Sequence, residues 1–202
     1  MKIYDISQEV FSCDVYPGDP IPQKEILCSM ESGALYNLSA FSMCSHNGTH
    51  IDAPRHFIRD GKTIDEIPLS HTVGKAYVAE HCGLVTAEDA VGILSRAKKA
   101  DSEACKRILI KGDATVTHEA AQVFADAEIL LLGNESQSVG PVDAPMAVHL
   151  TLLKKGIVLL EGVRLREVPC GVYLLNAAPL CLKGAEGSPC RAILMDMDDA
   201  KK

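Results

Sequence analysis

The fold of this chain is decided by the stretch His46-Asn47-Gly48-Thr49-His50-Ile51-Asp52, which continues as Ala53-Pro54-Arg55-His56. It places three histidines and a carboxylate within eleven positions. Imidazole nitrogen and carboxylate oxygen are ligands that Zn²⁺ and similar divalent ions prefer. If the segment is extended, His46, Gly48, His50 and Asp52 share one face, because side chains alternate along a strand. Pro54 forbids a continuing helix, so the stretch predicts metal ligands on a strand.

The sequence on either side predicts a mixture of helices and strands. Residues 35–45 alternate between apolar and polar side chains and lead into the histidine motif as a strand. Start and stop signals predict three helices, at residues 86–99, 117–127 and 145–156. Further strands are predicted at residues 3–7, 74–81, 106–111, 128–133, 157–161, 171–176 and 191–197. This order of elements predicts an α/β or α+β fold with a mixed sheet.

The composition is that of an ordinary soluble domain. The chain has 202 residues, of which 47% are hydrophobic and 23% charged, and we expect one domain over residues 1–202. The chain has a formal net charge of −7 and no basic cluster, so we expect no nucleic-acid partner. No apolar run has the ~18 residues of a membrane span, and the N-terminus has no apolar signal segment. We therefore expect a cytoplasmic protein that acts on a small molecule and has no membrane partner.

The eight cysteines are scattered, without a C-x-x-C pair. They are Cys13, Cys28, Cys44, Cys82, Cys105, Cys170, Cys181 and Cys190. Because no export signal precedes them, we expect reduced and mostly buried thiols. Cys44 stands two residues before His46 and would share its face on a strand, but a packed thiol is favoured over a fourth ligand.

A second pair of candidate ligands lies far along the chain. His149 is on the third predicted helix, roughly 10 Å before the turn at Gly156. Glu161 ends the following strand, roughly 16 Å after that turn. A helix that folds back on its following strand brings both side chains to one end of the sheet. Taken alone, a helical histidine and a glutamate at a strand end are weak evidence for a site.

Five separated motifs resemble those of the metal-dependent cyclase family, whose best-known members are bacterial kynurenine formamidases. His46–Phe57 (HNGTHIDAPRHF) resembles the family signature, and Val15–Pro20 resembles its opening motif. The loop 137–143 resembles an "SVD" motif, and residues 149–161 resemble an "H…LL…GI…E" block. Residues 187–192 resemble the family's ending, so the resemblance covers nearly the whole chain.

The resemblance implies a fold, a site and an assembly. The fold is a three-layer β/β/α arrangement of the swivelling-domain type, and the assembly is a homodimer or homotetramer. His56 matches the catalytic histidine of the family. The metal ligands implied by position are His46, His50, Asp52, His149 and Glu161. In the formamidases these residues hold two zinc ions, with the Asp and the Glu placed between them.

The implied activity is metal-dependent hydrolysis of an amide or formamide bond, as in an arylformamidase. One or two Zn²⁺ ions would activate water for attack on a carbonyl, and His56 would shuttle the proton to the leaving group. Mn²⁺ and Fe²⁺ also suit such a mixed nitrogen and oxygen ligand set.

Departures from the family pattern concern the substrate. Many members have an Arg-Thr-Gly-Trp stretch and a longer insertion where this chain has Lys111–Thr115, and the chain has no Trp. Aromatic residues are only 4%, whereas a pocket for an aryl ring usually has aromatic walls. N-formylkynurenine is the substrate that the resemblance implies. A cyclic amide or a lactone, as for isatin hydrolase or dienelactone hydrolase, is the alternative.

Two other classes of function fit parts of the pattern. His50, Asp52 and His149 imitate the two-histidine, one-carboxylate triad of iron oxygenases, although those sites usually lie in all-β double-sheet barrels. A non-catalytic, metal-dependent small-molecule-binding paralogue is the other alternative, and the presence of His56 argues against it. Thr49 is expected to point to the opposite strand face and to pack or hydrogen-bond locally. Arg55 is expected to be solvated rather than to bind a substrate carboxylate.

Overall fold

The computed structural model describes residues 1–197, so the last five residues of the predicted domain lie outside the described part. The α-helices of that part are α1 (Ala87–Ala100), α2 (His118–Asp126) and α3 (Met146–Leu153). Its strands are β1 (Lys2–Asp5), β2 (Gln23–Cys28), β3 (Leu38–Ser42), β4 (His50–Asp52), β5 (Val73–Glu80), β6 (Gly83–Val85), β7 (Arg107–Lys111), β8 (Ala114–Val116), β9 (Leu131–Asn134), β10 (Val158–Glu161), β11 (Gly171–Asn176), β12 (Gly187–Pro189) and β13 (Ile193–Asp196).

Nine of these strands form one mixed sheet, in the order β1-β13-β11-β5-β7-β9-β10-β4-β12. The four consecutive strands β5, β7, β9 and β10 run parallel, and the strands outside them pair antiparallel. Helices α1, α2 and α3 connect the successive parallel strands, as parallel pairing requires. The predicted mixed sheet and the three predicted helices are confirmed.

The helices begin where the sequence signals predict. The side chain of Thr86 caps α1 by accepting a hydrogen bond from the Asp89 backbone N–H. The Asp89 carboxylate in turn accepts from the Thr86 backbone N–H, which completes a capping box. Thr117 caps α2 in the same way, by accepting from the backbone of Ala120. Pro145 immediately precedes α3, where its missing N–H costs no helical hydrogen bond.

The sheet separates two hydrophobic cores. On the helix side, Ile108, Ile110, Leu132 and Leu159 pack with Phe124 of α2 and with α1 and α3. The opposite core joins residues from distant parts of the sheet, including Ile51 of β4, Leu109 of β7 and Leu194 of β13. Because both flanks of the sheet contribute to one core, the sheet curls on itself. A curled sheet covered by helices on its outer face gives the expected β/β/α layering.

β3 lies within the strand predicted at residues 35–45, whereas β2, β6, β8 and β12 were not predicted. The hairpin of β2 and β3 forms its own two-stranded sheet, and β6 pairs with β8 in another. β2 is exposed over most of its length, so its sequence shows no buried face. β12 has the sequence Gly-Ser-Pro, which predicts no strand, and it is held by pairing with β4.

The eight cysteines are all free, in keeping with the expectation of reduced thiols. The expectation that most are buried is wrong, because Cys82, Cys170 and Cys181 are exposed and the other five are partly exposed. The three exposed thiols lie in connecting segments rather than in the core strands. No helix in residues 1–197 combines the length and the apolar character that crossing a membrane requires.

Candidate metal centre

The pairing of β4 with β10 positions the first ligands. The two strands run antiparallel, with His50 directly opposite Glu161 and Asp52 opposite Leu159. Since side chains alternate, His50 and Asp52 share the helix side of the sheet, while Ile51 between them enters the opposite core. All of these residues are buried. The predicted sharing of one face by His50 and Asp52 is confirmed.

The preceding residues form a turn rather than the extended strand considered for residues 46–52. The Asn47 amide N–H donates to the Cys44 carbonyl oxygen at 3.3 Å, and Asn47 Oδ1 accepts from the Cys44 amide at 2.7 Å. Gly48 has a φ of 62°, in the left-handed region that favours glycine. A Cβ there would also lie 2.9 Å from Cβ of Cys13. The turn brings His46 back over the strand, where its Nδ1 lies 2.8 Å from Oδ1 of Asp52.

Helix α3 brings in the second pair of candidate ligands. Nε2 of His149 lies 3.3 Å from Oε1 of Glu161 and 3.7 Å from Oδ2 of Asp52. Nε2 of His50 lies 3.4 Å from Asp52 Oδ1 and 3.4 Å from Glu161 Oε2. The helix therefore folds back on its following strand, as predicted, and the five expected ligands meet in one cluster.

The donor atoms have the spacing of ligands around shared ions. Ligands held tetrahedrally at ~2.0–2.1 Å from Zn²⁺ lie ~3.3 Å from one another. In two groups of three, the donor atoms lie within 4.8 Å of one another, close enough to share an ion: one group is His46, His50 and Asp52, and the other is Asp52, His149 and Glu161. Oδ2 of Asp52 is buried without a hydrogen-bond partner. A buried carboxylate oxygen left in this state is costly unless a cation accompanies it.

Backbone acceptors orient two of the imidazoles. Nδ1 of His50 lies 3.0 Å from the Gly48 carbonyl oxygen, and Nδ1 of His149 lies 2.9 Å from the Pro145 carbonyl oxygen. A carbonyl oxygen only accepts, so each Nδ1 carries the proton and donates. The neutral form of each ring therefore presents an unprotonated Nε2 to the carboxylates, which is the state that binds a metal.

The carboxylates of the cluster are held ionised. Burial alone would raise the pKa of Asp52, but hydrogen bonds from His46 and His50 hold that pKa well below its usual range. Burial and the Asp52 charge act to raise the pKa of Glu161, and hydrogen bonds from His149 and His50 outweigh them and lower it. Burial would lower the pKa of His50, yet its bonds to Asp52 and Glu161 raise it to about 10. Both carboxylates are therefore ionised and paired with imidazole protons, which a divalent cation would displace on binding.

His56 lies beside the cluster rather than within it. Its Nε2 is 3.9 Å from Asp52 Oδ2, and its ring centroid is 4.0 Å from that of His46. Its side chain is 29% exposed, whereas those of His50 and His149 are almost fully buried. Burial is the main cause that lowers the pKa of His56, although the Asp52 charge acts in the opposite direction. A neutral imidazole at the edge of the cluster can accept a proton near neutral pH.

A cavity of about 240 Å³ opens onto the cluster. Four of the five candidate ligands line it, all except Asp52. The other lining residues are Tyr16, Asp19, His56, Phe57, Gln137, Ser138 and Pro145. The loop after β9 also supports the site, because the Val139 amide donates to Glu161 Oε1 at 2.7 Å. The predicted 137–143 motif therefore contributes both to the lining and to ligand orientation.

Three residues considered from the sequence are not ligands in this arrangement. Sγ of Cys44 lies 3.7 Å from Asp19 Oδ2, so its predicted role as a packed thiol is favoured. Arg55 is exposed and donates to the Arg59 carbonyl oxygen. Thr49 hydrogen-bonds to a distant segment rather than locally, by donating to the Gly162 carbonyl oxygen at 2.8 Å.

Sequence reasoning missed Glu186, whose Oε1 lies 3.4 Å from Nε2 of His46. No local motif marks it, because the contact depends on β12 pairing beside β4.

A curled mixed sheet with a buried histidine and carboxylate cluster beside a small-molecule cavity is the arrangement of a metal-dependent hydrolase. The chain belongs to the Cyclase family, whose sequence profile matches residues 4–141. It is 35% identical to a kynurenine formamidase of Bacillus cytotoxicus, over 94% of this chain and 95% of that protein.

Solved structures agree with this assignment. A structure described as a potential metal-dependent hydrolase with cyclase activity matches with a TM-score of 0.80 and 28% identity, over 96% of each chain. Isatin hydrolase A of Labrenzia aggregata has the same fold, with a TM-score of 0.79 and 22% identity over 96% of this chain and 93% of its own. The predicted family, fold and hydrolase class are confirmed. The fold also differs from the all-β barrels of the iron oxygenases considered above.

Proposed function

We propose that this protein is a metal-dependent hydrolase that cleaves the formamide bond of an N-formylkynurenine-like substrate. The observation that carries the proposal is the placement of Asp52 between two groups of donor atoms, with His56 facing the adjoining cavity. The kynurenine formamidase relatives support the choice of bond and substrate class.

The ligands in this proposal are His46, His50, Asp52, His149 and Glu161. Zn²⁺ is the ion we propose, one or two per chain, because three imidazoles and two carboxylates match its preferred donors. Mn²⁺ is the alternative, since it also accepts mixed nitrogen and oxygen ligands. When bound, such an ion lowers the pKa of water towards neutrality and polarises a carbonyl group.

His56 is the residue that we propose moves the proton. Its Nε2 lies at the rim of the cluster, and its side chain is the most accessible imidazole of the four. In the neutral state it accepts a proton from the attacking water and then donates it to the departing nitrogen. Transfer of that proton to the nitrogen is what makes an amine a competent leaving group.

The cavity has walls that suit an aryl substrate. Although aromatic residues are rare in the chain, Tyr16 and Phe57 both line the cavity. The ring centroid of Phe57 lies 4.8 Å from that of His149, so the aromatic wall adjoins the ligands. The scarcity of aromatics across the whole sequence is therefore weak evidence against a kynurenine-type substrate.

We further propose a cytoplasmic homodimer or homotetramer. The eight free cysteines suit a reducing compartment. Exposed apolar side chains on the β2–β3 hairpin, among them Ile26, Leu35 and Phe41, suit contact with a second copy of the chain.

The test is hydrolysis of N-formyl-L-kynurenine by zinc-reconstituted protein, beside protein stripped of metal with a chelator. We expect turnover above ~1 s⁻¹ in the reconstituted protein and little in the stripped protein. Restoration by added Zn²⁺ separates metal loss from unfolding. Absence of turnover in protein shown to hold its metal would refute this substrate, and isatin and small lactones would then be assayed in the same way.

A further inference from the structure

His46 differs from the other two imidazole ligands in what its outer nitrogen faces. In His50 and His149 that nitrogen is Nδ1, and it meets a backbone carbonyl oxygen. In His46 the ring is reversed: Nδ1 lies beside Asp52, and Nε2 lies 3.4 Å from Oε1 of Glu186. The outer nitrogen of His46 therefore faces a side chain, which can be changed by mutation.

Both partners of this contact are fixed in place. The Ser45 hydroxyl donates to Oε1 of Glu186, and the Ala53 amide donates to the Glu186 carbonyl oxygen at 2.9 Å. The His46 ring lies against Gly187, where a Cβ would come within 2.7 Å of its Cε1. On another side it packs on the His56 ring. Rotation of the His46 ring away from Glu186 would therefore disturb several contacts.

We propose that Glu186 is a positioning residue that accepts the Nε2 proton of His46 when the ion binds, so that Nδ1, which otherwise donates to Asp52, can give up its own proton and bind the ion shared with His50 and Asp52. A neutral imidazole carries one proton, so a metal bound at Nδ1 requires the proton at Nε2. Nε2 is buried and lacks an aligned hydrogen bond. Oε1 of Glu186, at 3.4 Å, is the carboxylate oxygen that faces this nitrogen. This inference rests on the proposed metal site.

The expected loss of Zn²⁺ affinity follows from the behaviour of other carboxylates that hydrogen-bond to metal-bound histidines. A carboxylate that accepts the outer proton of a metal-bound histidine fixes the ring and raises its basicity, and its loss typically costs ~10–100-fold in metal affinity. Glu186→Ala removes the acceptor and the charge. Glu186→Gln keeps an acceptor oxygen without the charge, so its Zn²⁺ affinity should fall between those of wild type and Glu186→Ala.

The experiment measures Zn²⁺ affinity by competition with a chromophoric chelator, and the visible spectrum of the Co²⁺-loaded protein as a second readout. We expect Glu186→Ala to bind Zn²⁺ ~10–100-fold more weakly and to shift the Co²⁺ bands. A role confined to folding would instead lower the unfolding temperature of the metal-free protein and leave the affinity of the folded protein unchanged. That result would overturn the inference.

Glu167→Ala is the matched control, because its side chain is 89% exposed and contacts Arg166. It should bind Zn²⁺ as wild type does. Ser45→Ala, which loosens Glu186 without removing it, should weaken binding less than Glu186→Ala and serves if the latter does not fold. Wild-type affinity in Glu186→Ala and Ser45→Ala would refute the role of Glu186 and leave the proposed metal site standing. Failure of the wild-type protein to bind Zn²⁺ or Co²⁺ would refute the proposed metal site as well.

Discussion

His56 and the two buried histidines next to it have the same side chain and different surroundings. His50 and His149 each have one nitrogen committed to a backbone carbonyl and the other facing carboxylates. His56 is stacked near the cluster, but its nearest carboxylate oxygen is 3.9 Å away and its side chain reaches the cavity. Position relative to Asp52 and Glu161, rather than residue type, therefore separates the proposed proton shuttle from the proposed ligands.

His56→Ala should separate catalysis from metal binding. We expect turnover of N-formyl-L-kynurenine to fall by ~10²–10⁴-fold, which is the usual contribution of a general acid or base. Metal content per chain should stay at the wild-type level, as measured by elemental analysis after dialysis. His118→Ala changes an exposed histidine at the start of α2 and should alter neither quantity. A His56→Ala protein that loses its metal would show that His56 is a ligand instead.

Some residues of the site could be predicted from the sequence and others could not. The spacing of His50 and Asp52 was enough to place them on one strand face, because alternation is a local property. His46 was placed correctly in the cluster but by the wrong route, since a turn at Gly48 and not an extended strand brings it there. Glu186 could not be predicted, because its contact with His46 arises from the pairing of β12 with β4.

At the scale of elements, the capped helices, the buried parallel strands and the alternating, largely exposed strand β3 were predictable, and β2 was not. Thr86 and Thr117 signal helix starts by local hydrogen bonds, and the apolar run of β10 reports burial on both faces. β2 has no such signal, because it is exposed and depends on β3 for its pairing. Caps and burial patterns depend on neighbouring residues and can be predicted from them, whereas pairing between distant segments cannot.

Gly162, which follows β10 immediately, shows how an element end supports the ligands. It has a φ of 68°, and a Cβ there would overlap the Gly48 carbonyl oxygen and the side-chain amide of Gln137. That carbonyl oxygen is the one that accepts from Nδ1 of His50. The loop after β10 and the turn before β4 therefore pack so closely that no side chain fits at position 162.

Gly162→Ala should destabilise the metal-free protein and weaken its binding of Zn²⁺. Left-handed strain costs ~1–2 kcal/mol, and the steric overlap should add a further ~1–3 kcal/mol. Gly156→Ala is the matched control, because its φ is 75° and nothing lies within 4 Å of the added Cβ. It should show the strain cost alone, with unchanged Zn²⁺ affinity. Urea unfolding measures the loss of stability in each variant. Equal losses in Gly162→Ala and Gly156→Ala would contradict the packing argument.

At the scale of the whole molecule, the β2–β3 hairpin presents several exposed apolar side chains, although Phe11 packs edge-on against its Phe41. Adjacent residues Ile26 and Leu27 are 68% and 50% exposed, so both faces of β2 meet solvent. A two-stranded hairpin is marginally stable by itself in water. Leu35, at 94% exposure, stands in the segment that connects its strands. Beside the hairpin lies a groove of about 490 Å³, with Phe41 among its lining residues.

A second copy of the chain would cover these surfaces reciprocally, since a two-fold axis places the same apolar patch on both sides of an interface. Leu35→Glu should then weaken self-association by about tenfold or more, because burying a leucine contributes ~1.5–3 kcal/mol and each 1.4 kcal/mol is a factor of about ten. Light scattering across a dilution series measures the change in mass. Leu84→Glu, at a comparably apolar residue of β6 that is 64% exposed, should leave the mass unchanged. A wild-type protein that is monomeric at every concentration would refute the proposed assembly, whereas equal effects of the two variants would place the interface away from the hairpin.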